Sequence, residues 1–401
     1  MKLLYAANVF GDEQMLSILK EYASEIKPDT TVIAGNIVRE ALPEERFKTF
    51  ANKAQFEQYK GVMLKLIGQH PAVQNAAVEC VQITSALQTQ NPKAPQRVQF
   101  DPDKHLKPLT RRIIDDLGFE QNIRELAKLV AEGFEHNLDT VELDDLVKEA
   151  DANLRQQYEK FAAELAQFPQ PAYSLPGNLD GKCFGDHLKE KNLHLHTATH
   201  KEIIFAGYGS SLMRAQIIPD PLQHPCVEQK LESGLTVSEA VAFYLRTEPD
   251  IIVSYTPPIP KGIAGVPEQL CSEALDDYIQ KLRPAAVLTG VVHNVVGADL
   301  QTPDTVAIYP GTLGEAFDML GGEFAVLDFD SQKTEFQRVT FYRITDKAKG
   351  RASIKPTQGY ELVDGVLSPK MYAQGPLDAI EKRKRMQELQ RKLQSIQNNP
   401  Q

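Results

Sequence analysis

The chain opens with a short apolar run, Leu3 to Ala7, that ends in the turn Asn8-Val9-Phe10-Gly11. Behind the acidic pair Asp12-Glu13, apolar residues recur at helical spacing: Leu16, Leu19, Ala23 and Ile26. This pattern predicts a helix closed by Pro28-Asp29, with its acids at the positive end of the dipole. A β-branched run, Thr31 to Ala34, follows and closes at Gly35-Asn36. Strand, helix and strand in that order predict a parallel pair with a right-handed crossover.

The period then changes. From about Pro43 to Phe168 the apolar positions stay at spacings of three and four. Phe47, Phe50, Ala54, Val62, Met63 and Leu66 predict one or two helices, and Pro71 a helix start or break. The stretch Gln90–Pro108 is polar and reads as a loop. Ile123, Leu126, Val130 and Phe134 give one further helical stripe, and Leu143, Leu146, Ala150 and Leu154 another. Residues 43–168 are expected to be an α-helical insertion.

At Ala172 the strand pattern returns. Strands are predicted at 172–175, 203–206, 251–254, 286–289, 306–309, 324–329 and 336–342, with helices at 237–245 and 268–281. The expected body is therefore residues 1–42 and 169–345, followed by an extension, 346–401, that ends in a helix. In that extension Met386, Leu389, Leu393 and Ile396 repeat at spacings 3, 4, 3, behind the basic run Lys382–Arg385.

Composition narrows the class. The chain has 401 residues, 42% hydrophobic and 24% charged, enough to bury a sizeable core. Lys and Arg number 44 against 54 Asp and Glu, so nucleic acid is not the expected partner. Cys80, Cys183, Cys226 and Cys271 form no CxxC pair, which predicts buried thiols rather than a disulfide or zinc scaffold. No apolar run reaches the ~18–20 residues of a membrane helix, and the first residues are too short for a signal peptide. A cytoplasmic protein is expected, with no membrane partner.

The strand-end loops carry the candidate chemistry. In order they are Asn8-Val9-Phe10-Gly11, Gly35-Asn36, Gly177-Asn178-Leu179-Asp180, Tyr255-Thr256-Pro257-Pro258 and Gly290-Val291-Val292-His293. The series resembles the calcineurin-like metallophosphoesterase family. That family carries Asp-x-His-Gly, Gly-Asp, Gly-Asn-His-Asp, a His before Pro-Pro, and Gly-His-x-His. Tyr309-Pro310-Gly311-Thr312 is similar to its closing turn. The match covers about residues 1–40 and 170–345. The resemblance implies an α/β fold, a four-layer α/β/β/α sandwich, carrying here the long helical insertion and the C-terminal helix.

The resemblance also implies two divalent metals held by seven ligands, and this chain departs from that set. The first Asp is Asn8, its partner His is Phe10, and the bridging Asp is Asn36. The Asn ligand is kept as Asn178. The later His ligands fall on Tyr255, Val291 and His293, of which only the last is kept. The His that assists catalysis becomes Leu179. An amide offers an oxygen with no charge, and losing one unit charge pair at 4 Å is worth ~4 kcal/mol at an effective dielectric of ~20. Phe10 and Val291 offer no lone pair. Without metal nothing lowers the pKa of a nucleophilic water.

Other candidates have simpler readings beside the chemical one. His194 and His196 alternate with leucines and could share a metal, or could be a solvated strand face. Gly207-Tyr208-Gly209-Ser210-Ser211 could cradle a phosphate, or could be structural. Cys183 near His187 is a thiol–imidazole hint that also fits a buried structural cysteine.

The expected function is a metallophosphoesterase-like scaffold or protein-binding module without catalysis. Its partner, or a second copy, would be met by the helical insertion and the C-terminal helix. The alternatives are a hydrolase with an altered or mononuclear site, and a nucleotide- or phosphate-ligand sensor. No cofactor is expected, or at most a single divalent metal such as Mn or Zn.

Overall fold

The structure, a computed structural model, describes residues 1–68, 71–90, 100–138, 141–212, 218–224, 228–232, 236–315, 321–345 and 352–370. The chain opens with β1 (Lys2–Ala7), α1 (Glu13–Ile26) and β2 (Thr30–Ala34). Helices follow: α2 (Glu44–Gly68), α3 (Pro71–Gln90), α4 (Pro102–His105), α5 (Pro108–Asp116), α6 (Glu120–Glu135) and α7 (Leu143–Leu165). Then come β3 (Ala172–Leu175), α8 (Phe184–Leu188), β4 (His196–His200), β5 (Ile203–Tyr208), β6 (Glu228–Lys230) and β7 (Thr236–Ser238). The chain continues through α9 (Glu239–Thr247), β8 (Ile251–Ser254), α10 (Glu273–Leu282), β9 (Ala286–Thr289), β10 (Val296–Thr302) and β11 (Thr305–Pro310). It closes on β12 (Glu323–Asp330), β13 (Glu335–Thr345), β14 (Ser353–Val363) and β15 (Val366–Lys370).

The chain divides into two compact units, one of residues 42–152 and one built from 1–41 and 153 onward. The larger unit is α/β. Its first sheet runs β15-β14-β13-β12-β1-β2-β3 and its second β10-β11-β9-β8-β5-β4. β1 pairs parallel with β2 from Leu3↔Thr30 to Ala7↔Ala34, as the strand–helix–strand order predicts. Central strands are buried on both faces, which is why they read as unbroken apolar runs. Leu3, Tyr5, Ala7, Val32 and Ala34 of the first sheet share one core with Phe205, Val253, Val287 and Ile308 of the second. On the first sheet's other side, Tyr22 of α1 sets its ring 5.4 Å from Phe324 and 5.6 Å from Tyr342.

Tyr5 ties the two sheets where the site forms: its hydroxyl donates to the Thr289 carbonyl at 2.7 Å. β1, β2 and β3 are mutually parallel, and so are β5, β8 and β9, so within each set the C-terminal ends lie at one edge.

The smaller unit is helical. Ile67, Val73, Ala77, Cys80, Ile114, Leu126 and Val130 form its core. α6 comes close to α2 at Gly133, where a Cβ would stand 2.5 Å from the Phe56 ring.

Two boundaries differ from the expectation. The helical unit ends near Ala152, not Phe168, because the second half of α7 buries Leu154, Tyr158, Phe161 and Leu165 in the α/β unit. The sheet does not stop at 345, since β14 and β15 extend it to Lys370. These outer strands bury little and carry Lys355, Pro356 and Gly359, so their apolar signal is faint. β6, β7 and β10 have no counterpart among the predicted strands, and the strand face offered at His194 and His196 becomes β4, which begins only at His196. The stripe Met386–Ile396, the run Lys382–Arg385 and Cys226 lie outside the described residues. Cys80, Cys183 and Cys271 are buried and form no disulfide. No helix among the described residues is long and apolar enough to cross a membrane.

Candidate functional site

The loops after β1, β2, β3, β8 and β9 converge on one ring, that of Tyr255. Two glycines make room for it. A Cβ on Gly35 would lie 1.9 Å from the ring, and one on Gly290 would lie 2.5 Å away. The tyrosine is fully buried. Its hydroxyl shares one proton between Asn178 Oδ1 at 3.0 Å and Asn8 Oδ1 at 3.3 Å, with His293 Nε2 at 3.4 Å.

The loop backbone is bent to reach this point. Asn8, Phe10 and Asn36 all hold left-handed backbone, at φ 60°, 51° and 45°. Asparagine adopts that region readily, whereas a Phe costs about 1–2 kcal/mol there. Phe10 is held by its N–H, which donates to the Asn36 carbonyl at 2.8 Å, and by its edge-on contact with His293 at 5.4 Å.

Backbone partners fix two of the amides. Asn8 Nδ2 donates to the Gly290 carbonyl at 2.7 Å, which turns its Oδ1 toward Tyr255. Asn36 Oδ1 accepts the Leu179 N–H at 3.0 Å, so its Nδ2 faces His293 Nε2 at 3.1 Å. That nitrogen must therefore be the acceptor, and the proton of neutral His293 sits on Nδ1. Burial holds His293 uncharged by lowering its pKa to about 4. Burial likewise pushes the Tyr255 phenol well above its usual value. The whole cluster is neutral near pH 7.

One carboxylate stands behind it. Asp180 is fully buried and staples two loops. It accepts the N–H groups of Gly177 at 2.7 Å, Ile37 at 3.1 Å and Val38 at 3.4 Å, and the Tyr158 hydroxyl at 3.1 Å. The Tyr158 oxygen in turn accepts the Gly181 N–H at 2.7 Å. Burial raises the Asp180 pKa to about 6, against the pull of these donors. Asp180 was legible as the acid two residues after Asn178. Tyr158, on a helix assigned to the insertion, had no such signal.

These donors do not fit a pair of divalent cations. Asn8 and Asn178 spend their oxygens on Tyr255, Asn36 spends its own on a backbone N–H, and Asp180 is consumed by its donors. Phe10, Leu179 and Val291 are buried apolar side chains that offer nothing to a metal. Among the described residues no three His, Cys, Asp or Glu groups gather to hold an ion.

The remaining candidates separate. Leu195, at φ 56°, turns the chain so that His194 is largely buried while His196 is exposed, so the two do not share a strand face. His194 Nδ1 accepts the Gly209 N–H at 3.0 Å, and burial lowers its pKa to about 3. An imidazole whose Nδ1 faces a donor keeps its proton on Nε2, which disfavours ligation there. In the 207–211 loop, a Cβ on Gly207 would stand 2.6 Å from Leu193, and one on Gly209 2.3 Å from the Pro176 carbonyl. The glycines serve packing. Cys183 is buried, and the His187 ring lies 6.3 Å from that of Tyr158.

No family model matches the chain, and no curated protein matches it in sequence. Solved structures are similar only distantly. One crystal structure is 15% identical, with TM-score 0.45, over 88% of this chain and 98% of that one. TT1561 of Thermus thermophilus is 12% identical, with TM-score 0.41, over 84% of this chain and 96% of that one. PhoD is 10% identical, with TM-score 0.39, over 94% of this chain and 72% of that one.

Proposed function

We propose that this chain is a catalytically inactive protein of the metallophosphoesterase type that works as a protein-binding scaffold. On that reading the two sheets with their outer helices are the family's four-layer sandwich. The converging loops have become a closed structural junction, and recognition has moved to the helical unit and the C-terminal segment. One observation carries it: the Tyr255 ring is wedged between Gly35 and Gly290, and its hydroxyl engages the carboxamide oxygens of Asn8 and Asn178, which stand where the resemblance puts metal ligands. A neutral cluster whose polar groups face one another offers no charge to offset a cation. The buried thiols Cys80, Cys183 and Cys271 suit a reducing, cytoplasmic setting.

The test is metal retention with turnover. The full chain is equilibrated with manganese or zinc, desalted and analysed for metal, and hydrolysis of bis(p-nitrophenyl) phosphate is followed. The expected result is less than one equivalent of metal and no hydrolysis that depends on Asn178 or His293. Two equivalents of metal, with turnover abolished by Asn178→Ala, would sink the reading.

A further inference from the structure

We propose that β4 is the seam of a symmetric dimer, in which it pairs antiparallel with β4 of a second copy of this chain, about an axis at Ala198. The proposal goes beyond the scaffold reading and does not depend on it. β4 is the last strand of the second sheet and is bonded on one side only, to β5. Ile204 of β5 stands opposite Thr199 and turns its backbone the other way. Its N–H donates to Asp250 Oδ2 at 2.7 Å and its carbonyl accepts the Asp250 N–H at 3.0 Å. Antiparallel pairs alternate, so Thr199, and Thr197 two residues before it, point their own N–H and C=O groups away from the sheet. Among the described residues nothing takes these groups. Both threonines are exposed, and Ala198 between them is buried.

The other outer strands of the two large sheets are guarded. β15 carries Pro369, which has no N–H, and the exposed Lys370. On β10 the Val296 carbonyl accepts Gln358 Nε2 at 2.6 Å, and the Gln301 carbonyl accepts Gln280 Nε2 at 3.3 Å. Beside β3 the Leu193 N–H donates to the Ser174 carbonyl at 2.8 Å. β4 has no proline and no Lys, Arg, Asp or Glu, and an edge left so is a template for another strand.

The sequence of β4 names the occupant. His196-Thr197-Ala198-Thr199-His200 reads the same in both directions. A two-fold axis sets residue i against j and j against i. Centred on Ala198, it sets Thr197 against Thr199 and His196 against His200 of the other copy. The threonines then exchange both N–H···O=C bonds, and Thr–Thr pairs are favourable across strands. Ala198 falls on the axis in the non-hydrogen-bonded position, where the strands come closest and a small side chain fits. Left-handed turns at Leu195, φ 56°, and Lys201, φ 48°, bound the strand, so only this register pairs its full length. A strand of five residues buries less than the roughly 1,200 Å² of a stable interface, so the dimer is weak.

Sedimentation equilibrium of the full chain tests the proposal. A concentration-dependent dimer is expected. Thr199→Pro removes an outward N–H and should weaken it at least about tenfold. A chain with Thr197→Lys and Thr199→Lys, and another with Thr197→Glu and Thr199→Glu, each set like charges opposite one another. Each should stay monomeric where the wild type pairs, and each should keep the melting temperature of the dilute wild type, since both positions are exposed. Mixing the two should restore a dimer, because every lysine then meets a glutamate. These two chains decide the matter if Thr199→Pro does not fold. A monomer at every concentration, or a dimer indifferent to the substitutions, overturns the proposal. So does a failure of the two charged chains to pair when mixed, which would mean that β4 meets a strand other than itself.

Discussion

The Tyr255 ring lies where a side chain on Gly35 would have to stand, 1.9 Å from the position of its Cβ. The two positions come from different sheets, β2 and β8, and neither tolerates change alone. Gly35 also holds φ 67°, a conformation that L side chains rarely adopt. Gly35→Ala should therefore cost more than the ~1 kcal/mol of backbone strain alone, about 3 kcal/mol or more. In a Tyr255→Ala background the clash is gone and only the backbone term stays. A double-mutant cycle in urea should show a coupling of about 1–3 kcal/mol. Additive effects would mean that the slot is not filled by Tyr255.

Tyr255→Phe asks a different question, because the ring stays in its slot and only the hydroxyl is lost. Asn8 Oδ1 and Asn178 Oδ1 then lose their shared donor. The expected loss is about 1–3 kcal/mol, with an unchanged denaturant slope. A neutral substitution would show that water already satisfies both amides and that the cluster is open.

How much of this was legible before the structure depends on what each residue had to do. The strands β1, β2, β3, β8 and β9 were plain because burial on both faces leaves an unbroken apolar run. The loops were plain because they follow those strands. That Asn8, Asn36, Asn178, Tyr255 and His293 meet is a property of two sheets sharing one core, which no local pattern encodes. That Tyr255 sits at their centre depends on glycines 220 and 35 residues away from it, Gly35 and Gly290 respectively. β14 and β15 were missed because outer strands face water and carry polar, Pro- and Gly-containing sequence. The true end of the helical unit was missed because α7 keeps one helical period while changing what it packs against.

Acid should destabilise the protein through its buried imidazoles. His293 titrates near 4 and His194 near 3 when folded, against about 6.5 when unfolded. The unfolded chain thus binds more protons below pH 6.5, and stability falls as pH drops from there toward 4. The His293 share, fully lost only below pH 4, is on the order of 3 kcal/mol. Urea unfolding of wild type and His293→Gln at pH 7, 6 and 5 checks it. The variant should show the shallower pH dependence. Parallel curves would mean that His293 is not held neutral by burial.

Asp180 should act in the opposite sense, which makes it separable from the histidines. Its folded pKa is raised to about 6, so the folded state binds the extra proton between about pH 4 and 6. Its contribution to stability is therefore largest in acid, declines as pH rises through that window, and is level above about 7. Asp180→Asn removes this titration. It also sets an amide NH₂ against a ring of donors, the N–H groups of Gly177, Ile37 and Val38 and the Tyr158 hydroxyl. The amide oxygen can keep only some of these partners, and each buried N–H left bare costs about 1–3 kcal/mol. The substitution should therefore cost at least about 2 kcal/mol at pH 7 and more at pH 5. Tyr158→Phe should cost about 1–3 kcal/mol, since it strips one donor from Asp180 and leaves the Gly181 N–H without its acceptor. Chemical denaturation of both variants at pH 5, 6 and 7 decides the matter. An Asp180→Asn protein as stable as wild type at pH 7, or a deficit that widens as pH rises, would show that the carboxylate does not staple these loops.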